Sequence, residues 1–71
     1  MADSVYKVIE LVGTSTESWE KAARTAVERA SQSLRDLRIA EVAELDMQIT
    51  NGKVEAYRAK LKVSFKFVGQ Q

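Results

Sequence analysis

The chain has 71 residues with 11 basic and 10 acidic side chains, no Cys and no His. At 7.9 kDa, a compact monomer exposes roughly 4,400 Å² of the about 11,500 Å² of its unfolded chain; with disulfides and soft-ligand zinc excluded, oligomerisation is the expected support for so thin a core. The same absences exclude a Ser/His/Asp triad, a Cys nucleophile, a histidine base and iron–sulfur ligation within the chain, so no enzyme is expected.

From Val5 to Val12 the segment Val-Tyr-Lys-Val-Ile-Glu-Leu-Val is rich in β-branched and aromatic residues and stops at Gly13, which predicts a first strand. The hydroxyls of Thr14, Ser15 and Thr16 and the carboxylate of Glu17 predict a helix start near Thr16. Its apolar positions, Trp19, Ala22, Ala23, Ala26, Val27, Ala30 and Leu34, recur at helical spacing as one stripe. Because that stripe is mostly alanine, the helix can lie close on a sheet. The opposite face pairs Glu17 with Lys21 and Glu20 with Arg24 and is expected to be solvated.

Leu37 to Thr50 and Lys53 to Phe67 are long extended segments joined by Asn51-Gly52, the dipeptide that best fits a two-residue type I′ hairpin. Uninterrupted antiparallel pairing from Thr50 opposite Lys53 then puts Ala40, Val42, Leu61, Val63 and Phe65 on the helix side. The other face receives Ile39, Glu41, Ala43, Leu45 and Met47 beside Arg58, Lys60, Lys62 and Ser64, with Glu41 opposite Lys62. Apolar groups interleaved with cations make a poor solvated surface, so this face is expected to be a subunit contact or a ligand wall. Trp19 and Tyr57 are read as packing residues. The whole is an α+β domain spanning residues 1–71, ordered β-α-β-β, with strand three inserted between strands one and two. The opening Met1-Ala2-Asp3-Ser4 without a basic region and an apolar core of signal-peptide length, and the lack of an apolar run of membrane-spanning length, lead to a cytoplasmic expectation with no membrane partner.

The order of elements, the Gly13-Thr14-Ser15 helix entry, the Ala40-Glu41-Val42 strand and the final Val63-Ser64-Phe65 alternation together resemble the dodecins, over Val5 to Phe67. The resemblance implies a hollow homododecamer in which the three-stranded sheet wraps the helix and flavin, as FMN or riboflavin, is stored non-catalytically between subunits. The tryptophan that stacks on flavin in that family falls on Ile39, after Arg38, and the glutamine that hydrogen-bonds the flavin's polar edge falls on Arg58, after Tyr57. An aliphatic side chain gives up about 1–3 kcal/mol of stacking per ring, and a guanidinium donates hydrogen bonds without accepting them, so weakened flavin binding is expected. A basic phosphate contact is replaced by Asp46, whereas Lys66 keeps the basic residue near the end of strand three.

In detail, Val5-Tyr6-Lys7-Val8-Ile9, Ser18-Trp19-Glu20, Asp46-Met47, Tyr57-Arg58 and Val63-Ser64-Phe65-Lys66 are similar to the calcium dodecin subgroup. That similarity implies Ca²⁺, a hard cation taking six to eight oxygens. Asp46 and Glu41 are then the candidate metal ligands, with Glu44 beside them, and Ile39, Arg58, Glu44 and Lys66 the candidate cofactor contacts; the plain reading of Glu41 is an ion pair with Lys62. Two alternatives stand: a structural shell without ligand, and a small β-rich nucleic-acid-binding module using Arg58, Lys60 and Lys62. The near-zero net charge and the lack of an aromatic on that face disfavour the second.

Overall fold

In the computed structural model, which describes residues 3–67, the elements are β1 (Tyr6–Ser15), α1 (Trp19–Ala30), β2 (Leu37–Thr50) and β3 (Lys53–Lys66). They form one antiparallel sheet in the order β1-β3-β2. The inserted third strand and the hairpin thus follow the sequence expectation. Asn51 and Gly52 both have positive φ, 54° and 78°, as the type I′ turn requires.

Three boundaries differ from expectation, one of them the end of α1 at Ala30, which leaves Leu34 of the expected stripe beyond the helix. β1 continues through Gly13 to Ser15, because Gly13 is a packing glycine rather than a stop. A Cβ there would sit 2.1 Å from the Ala22 carbonyl oxygen and 2.9 Å from the Ala26 Cβ, so its absence lets α1 rest directly on the strand. The helix cap is Ser18, whose Oγ accepts a 3.0 Å bond from the Lys21 N–H. Ser15 instead closes the turn before it, its Oγ accepting from the Glu17 N–H at 2.9 Å. The helix ends at Ala30, and the chain turns back through Asp36, whose left-handed φ of 61° a short polar side chain tolerates.

The expected alanine stripe is the buried face of α1. Ala22, Ala26 and Ala30 are buried, and the first two pack with Ala59, Leu61 and Val63 of the central strand. Leu61 and Val63 are the largest fully buried side chains, so the core is as thin as the length implied. α1 covers β1 and β3 and scarcely reaches β2.

The β2–β3 register departs from uninterrupted pairing. Thr50 lies opposite Lys53 and Ile49 opposite Val54, but Gln48 then meets Ala56, leaving Glu55 as an extra residue on β3. The shift persists through Met47 opposite Tyr57, Asp46 opposite Arg58, Leu45 opposite Ala59 and Glu44 opposite Lys60. At Ala43 an extra residue on β2 cancels it, and Val42 opposite Leu61 to Ile39 opposite Ser64 regain the expected pairing. Leu45 and Met47 therefore stand on the helix side, which corrects the expectation that they share the other face with Ile39. Without the slip, Glu44 and Asp46 would be turned toward Ala59 and Tyr57 in the apolar layer, where an unpaired carboxylate is costly.

Candidate functional site: the charged face of the sheet

The two bulges bring all three carboxylates of β2 to the face turned away from α1. Glu41 lies opposite Lys62, Glu44 opposite Lys60 and Asp46 opposite Arg58, an acidic edge strand against a basic central strand. On the far flank, Glu10 of β1 also lies opposite Lys62. Arg58 and Asp46 form a fork: Nε to Oδ1 is 2.7 Å and Nη2 to Oδ2 is 2.9 Å. Lys60 Nζ stands 3.7 Å from Glu44 Oε1. Hydrogen bonds from Arg58 hold the Asp46 carboxyl below its usual range, helped by the charges of Arg58 and Lys60; the same bonds raise the Arg58 guanidinium further.

Asp46 is also fixed from the helix side. Its backbone carbonyl accepts a 2.9 Å bond from the Trp19 indole Nε1–H. The Trp19 ring meets Tyr57 edge to face, with centroids 5.1 Å apart at 68°. Trp19 is thus a packing anchor, as read from the sequence, but its bond to β2 is a link that sequence reasoning missed. The signal for the register, by contrast, was present: acids at 41, 44 and 46 match bases at 62, 60 and 58 if one residue of β2 is left over.

The candidate positions form two groups rather than one. Ile39, 67% exposed, is opposite Ser64, which is itself opposite Val8, and Lys66 lies opposite Tyr6 at the same end of the sheet. Arg58, Asp46 and Glu44 are at the other end. Ser64 and Arg58 are six residues apart on β3, roughly 20 Å in an extended strand, so one chain does not bring Ile39 and Arg58 to a single flavin ring. Lys62 and Arg58, the partners of Glu41 and Asp46, are about 13 Å apart along the strand. Among the described residues there is no group of three or more His, Cys, Asp or Glu close enough to hold a metal ion. One chain therefore offers hard oxygen donors suited in kind to Ca²⁺ but too few in any one place for its six to eight ligands.

Each cation of the basic row also has an acid facing it. That arrangement offsets the uncompensated field a phosphate backbone needs. No helix among the described residues is long and apolar enough to cross a membrane.

Residues 5–68 match the family model described as Dodecin. The calcium dodecin of Mycobacterium tuberculosis is 54% identical over 63 residues, which cover 89% of each chain. Its crystal structure, described as a calcium-chelating antigen with a novel calcium-binding site, superposes with a TM-score of 0.82 over 96% of this chain and 97% of that one. The dodecin of Thermus thermophilus is 44% identical over 62 residues, covering 87% of this chain and 90% of the relative. The dodecin of Streptomyces coelicolor superposes with a TM-score of 0.91 at 40% identity, over 99% of this chain and all of that one. With the family model spanning nearly the whole length and the β-α-β-β fold shared with these structures, the chain belongs to the dodecin family.

Proposed function

We propose that this chain is a non-enzymatic binding and storage protein of the cytoplasm, working as a homododecameric shell with ligand sites between subunits and taking Ca²⁺ in preference to flavin. The observation that carries the reading is the uncovered sheet face, where exposed Ile39, Val8 and Val12 adjoin the carboxylates of Glu41, Glu44 and Asp46. Among the described residues, no element of the chain itself lies over that face. Donors too dispersed within one chain become a site when a second subunit adds its own. Asp46, Glu44 and Glu41 are the candidate oxygens for Ca²⁺, Asp46 exchanging its fork with Arg58 for the ion, and the similarity to a calcium dodecin supports the choice of ion.

Flavin is disfavoured at both ends of the face. Ile39 offers no π-surface, and Arg58 already spends two donors on Asp46; a flavin using both positions, with Lys66 at its phosphate, must draw them from different copies. Native mass spectrometry is expected to give a twelve-subunit mass, and a monomer or dimer would refute the shell. Ca²⁺ is expected to raise the melting temperature of the wild type by mass action and to do so much less in Asp46→Ala; equal shifts in both proteins would discard the ligand assignment. Riboflavin or FMN fluorescence is expected to be quenched weakly, and more strongly in Ile39→Trp with Arg58→Gln. Quenching by the wild type at micromolar concentration or below would overturn the preference for calcium.

A further inference from the structure

Asn51 is the one asparagine of the chain, and Gly52 follows it. The two residues form the tip of the β2–β3 hairpin, with φ of 54° and 78°. Both are exposed, and a Cβ placed on Gly52 would meet nothing within 4 Å. Among the described residues the Asn51 amide takes part in no hydrogen bond, so nothing there pins the side chain. The stretch that holds the turn is thin as well. Between the turn and the extra residue Glu55 lie two cross-strand pairs, Thr50 with Lys53 and Ile49 with Val54, and every residue from 48 to 55 is exposed. One side-chain bond ties the two strands there, Thr50 Oγ1 donating to the Glu55 carboxylate. Such a segment opens locally at far less cost than the core.

We infer that Asn51 is a self-modification site, which deamidates through a cyclic imide in the folded protein to give aspartate or isoaspartate at position 51. The backbone nitrogen of Gly52, on losing its proton to water or hydroxide, attacks the side-chain carbonyl carbon of Asn51. That carbon–nitrogen bond forms, the bond to the side-chain nitrogen breaks, and the side-chain nitrogen leaves as ammonia. Water then opens the five-membered ring at either carbonyl, so the step needs no oxidant, reductant or cofactor. Gly52 favours the attack because no Cβ shields its nitrogen. In a type I′ turn the Asn51 backbone holds that nitrogen away from the side chain, so ring closure waits on local opening of the two pairs beside the turn. Of the charged groups at the tip, Lys53 favours the negative charge that builds up on the reacting amide, and Glu55, held by Thr50, opposes it. The product carries one more carboxylate, which takes the formal net charge of the chain from +1 to zero. Isoaspartate also lengthens the loop backbone by one carbon, which a two-residue turn does not accommodate.

With a single asparagine in the chain, the test has no background from other asparagines. The full-length protein is aged in mildly alkaline buffer beside a sample unfolded in urea, and both are followed by intact mass and peptide mapping. The folded protein is expected to gain about 1 Da as the side-chain NH₂ gives way to OH, at position 51, and to do so no more than about a hundredfold more slowly than the unfolded chain, the mark of local opening. Greater protection would mean that the turn opens only with the whole fold and would overturn the inference. Protein isoaspartyl methyltransferase is expected to methylate the aged wild type at position 51 and to leave aged Asn51→Gly unmodified, since glycine keeps the positive φ of the turn and lacks the amide. Circular dichroism checks that this variant keeps the wild-type spectrum. An equal mass gain in Asn51→Gly, or a gain that maps to a glutamine, would also overturn it.

Discussion

Asp46 accepts three hydrogen bonds, two from Arg58 on its carboxylate and one from Trp19 on its carbonyl, and its carboxylate contributes to the acid behaviour of the protein. Because Arg58 holds its carboxyl below the ordinary value in the fold, the ionised form favours the folded state. That contribution is fully present above the unfolded carboxylate value of about 3.9 and is lost as pH falls through the lower folded value. Melting temperatures followed from pH 6 to pH 2 are expected to drop less steeply in Asp46→Asn than in the wild type; parallel acid limbs would show that the fork contributes nothing. Gly13 makes a second prediction at this scale. Gly13→Ala drives a methyl group into the Ala22 carbonyl and the Ala26 side chain, and overpacking of this kind costs about 1–3 kcal/mol, readable as a lower midpoint in urea.

Among the elements, β2 carries the least obvious information. Ala43 is left over from the ladder, so a chain lacking it still pairs Val42 with Leu61 and Glu44 with Lys60. Deleting Ala43 is expected to change stability by no more than about 1 kcal/mol, the centre of the range for ordinary point changes. Deleting Leu45 instead turns every later side chain of β2 to the wrong face and is expected to abolish cooperative melting; equal tolerance of the two deletions would refute the bulge. The element order, the hairpin turn and the alanine face of α1 were legible in the sequence because each rests on a local signal: alternation, Asn51-Gly52, and a stripe from Ala22 to Ala30. The inward turn of Leu45 and Met47 was not read, because alternation has no memory of a skipped residue and Glu55 and Ala43 are unremarkable as types. Of the candidate site, the pairing of Glu41 with Lys62 across the strands was legible in the register, although the expected ion pair does not close among the described residues. The fork from Asp46 to Arg58 needed the slip, and the distance between Ile39 and Arg58 needed the strands laid side by side.

For the whole molecule, a long and thinly filled shape is the main physical fact. So few large side chains are fully buried, Leu61 and Val63 foremost, that most of the apolar surface available for stability is available only to association. In the proposed assembly, linkage makes the folded state depend on protein concentration. The melting temperature is expected to rise with each tenfold increase in concentration over a range where subunits dissociate, and a constant value there would show that the single chain stands alone. The bond between the Trp19 indole and the Asp46 carbonyl carries an optical consequence. Trp19 is the one tryptophan of the chain, partly buried between α1 and β2, so all indole emission comes from this single place. Water reaching the ring as this bond opens on unfolding will move that emission to longer wavelength, which makes the native protein its own unlabelled gauge of folding.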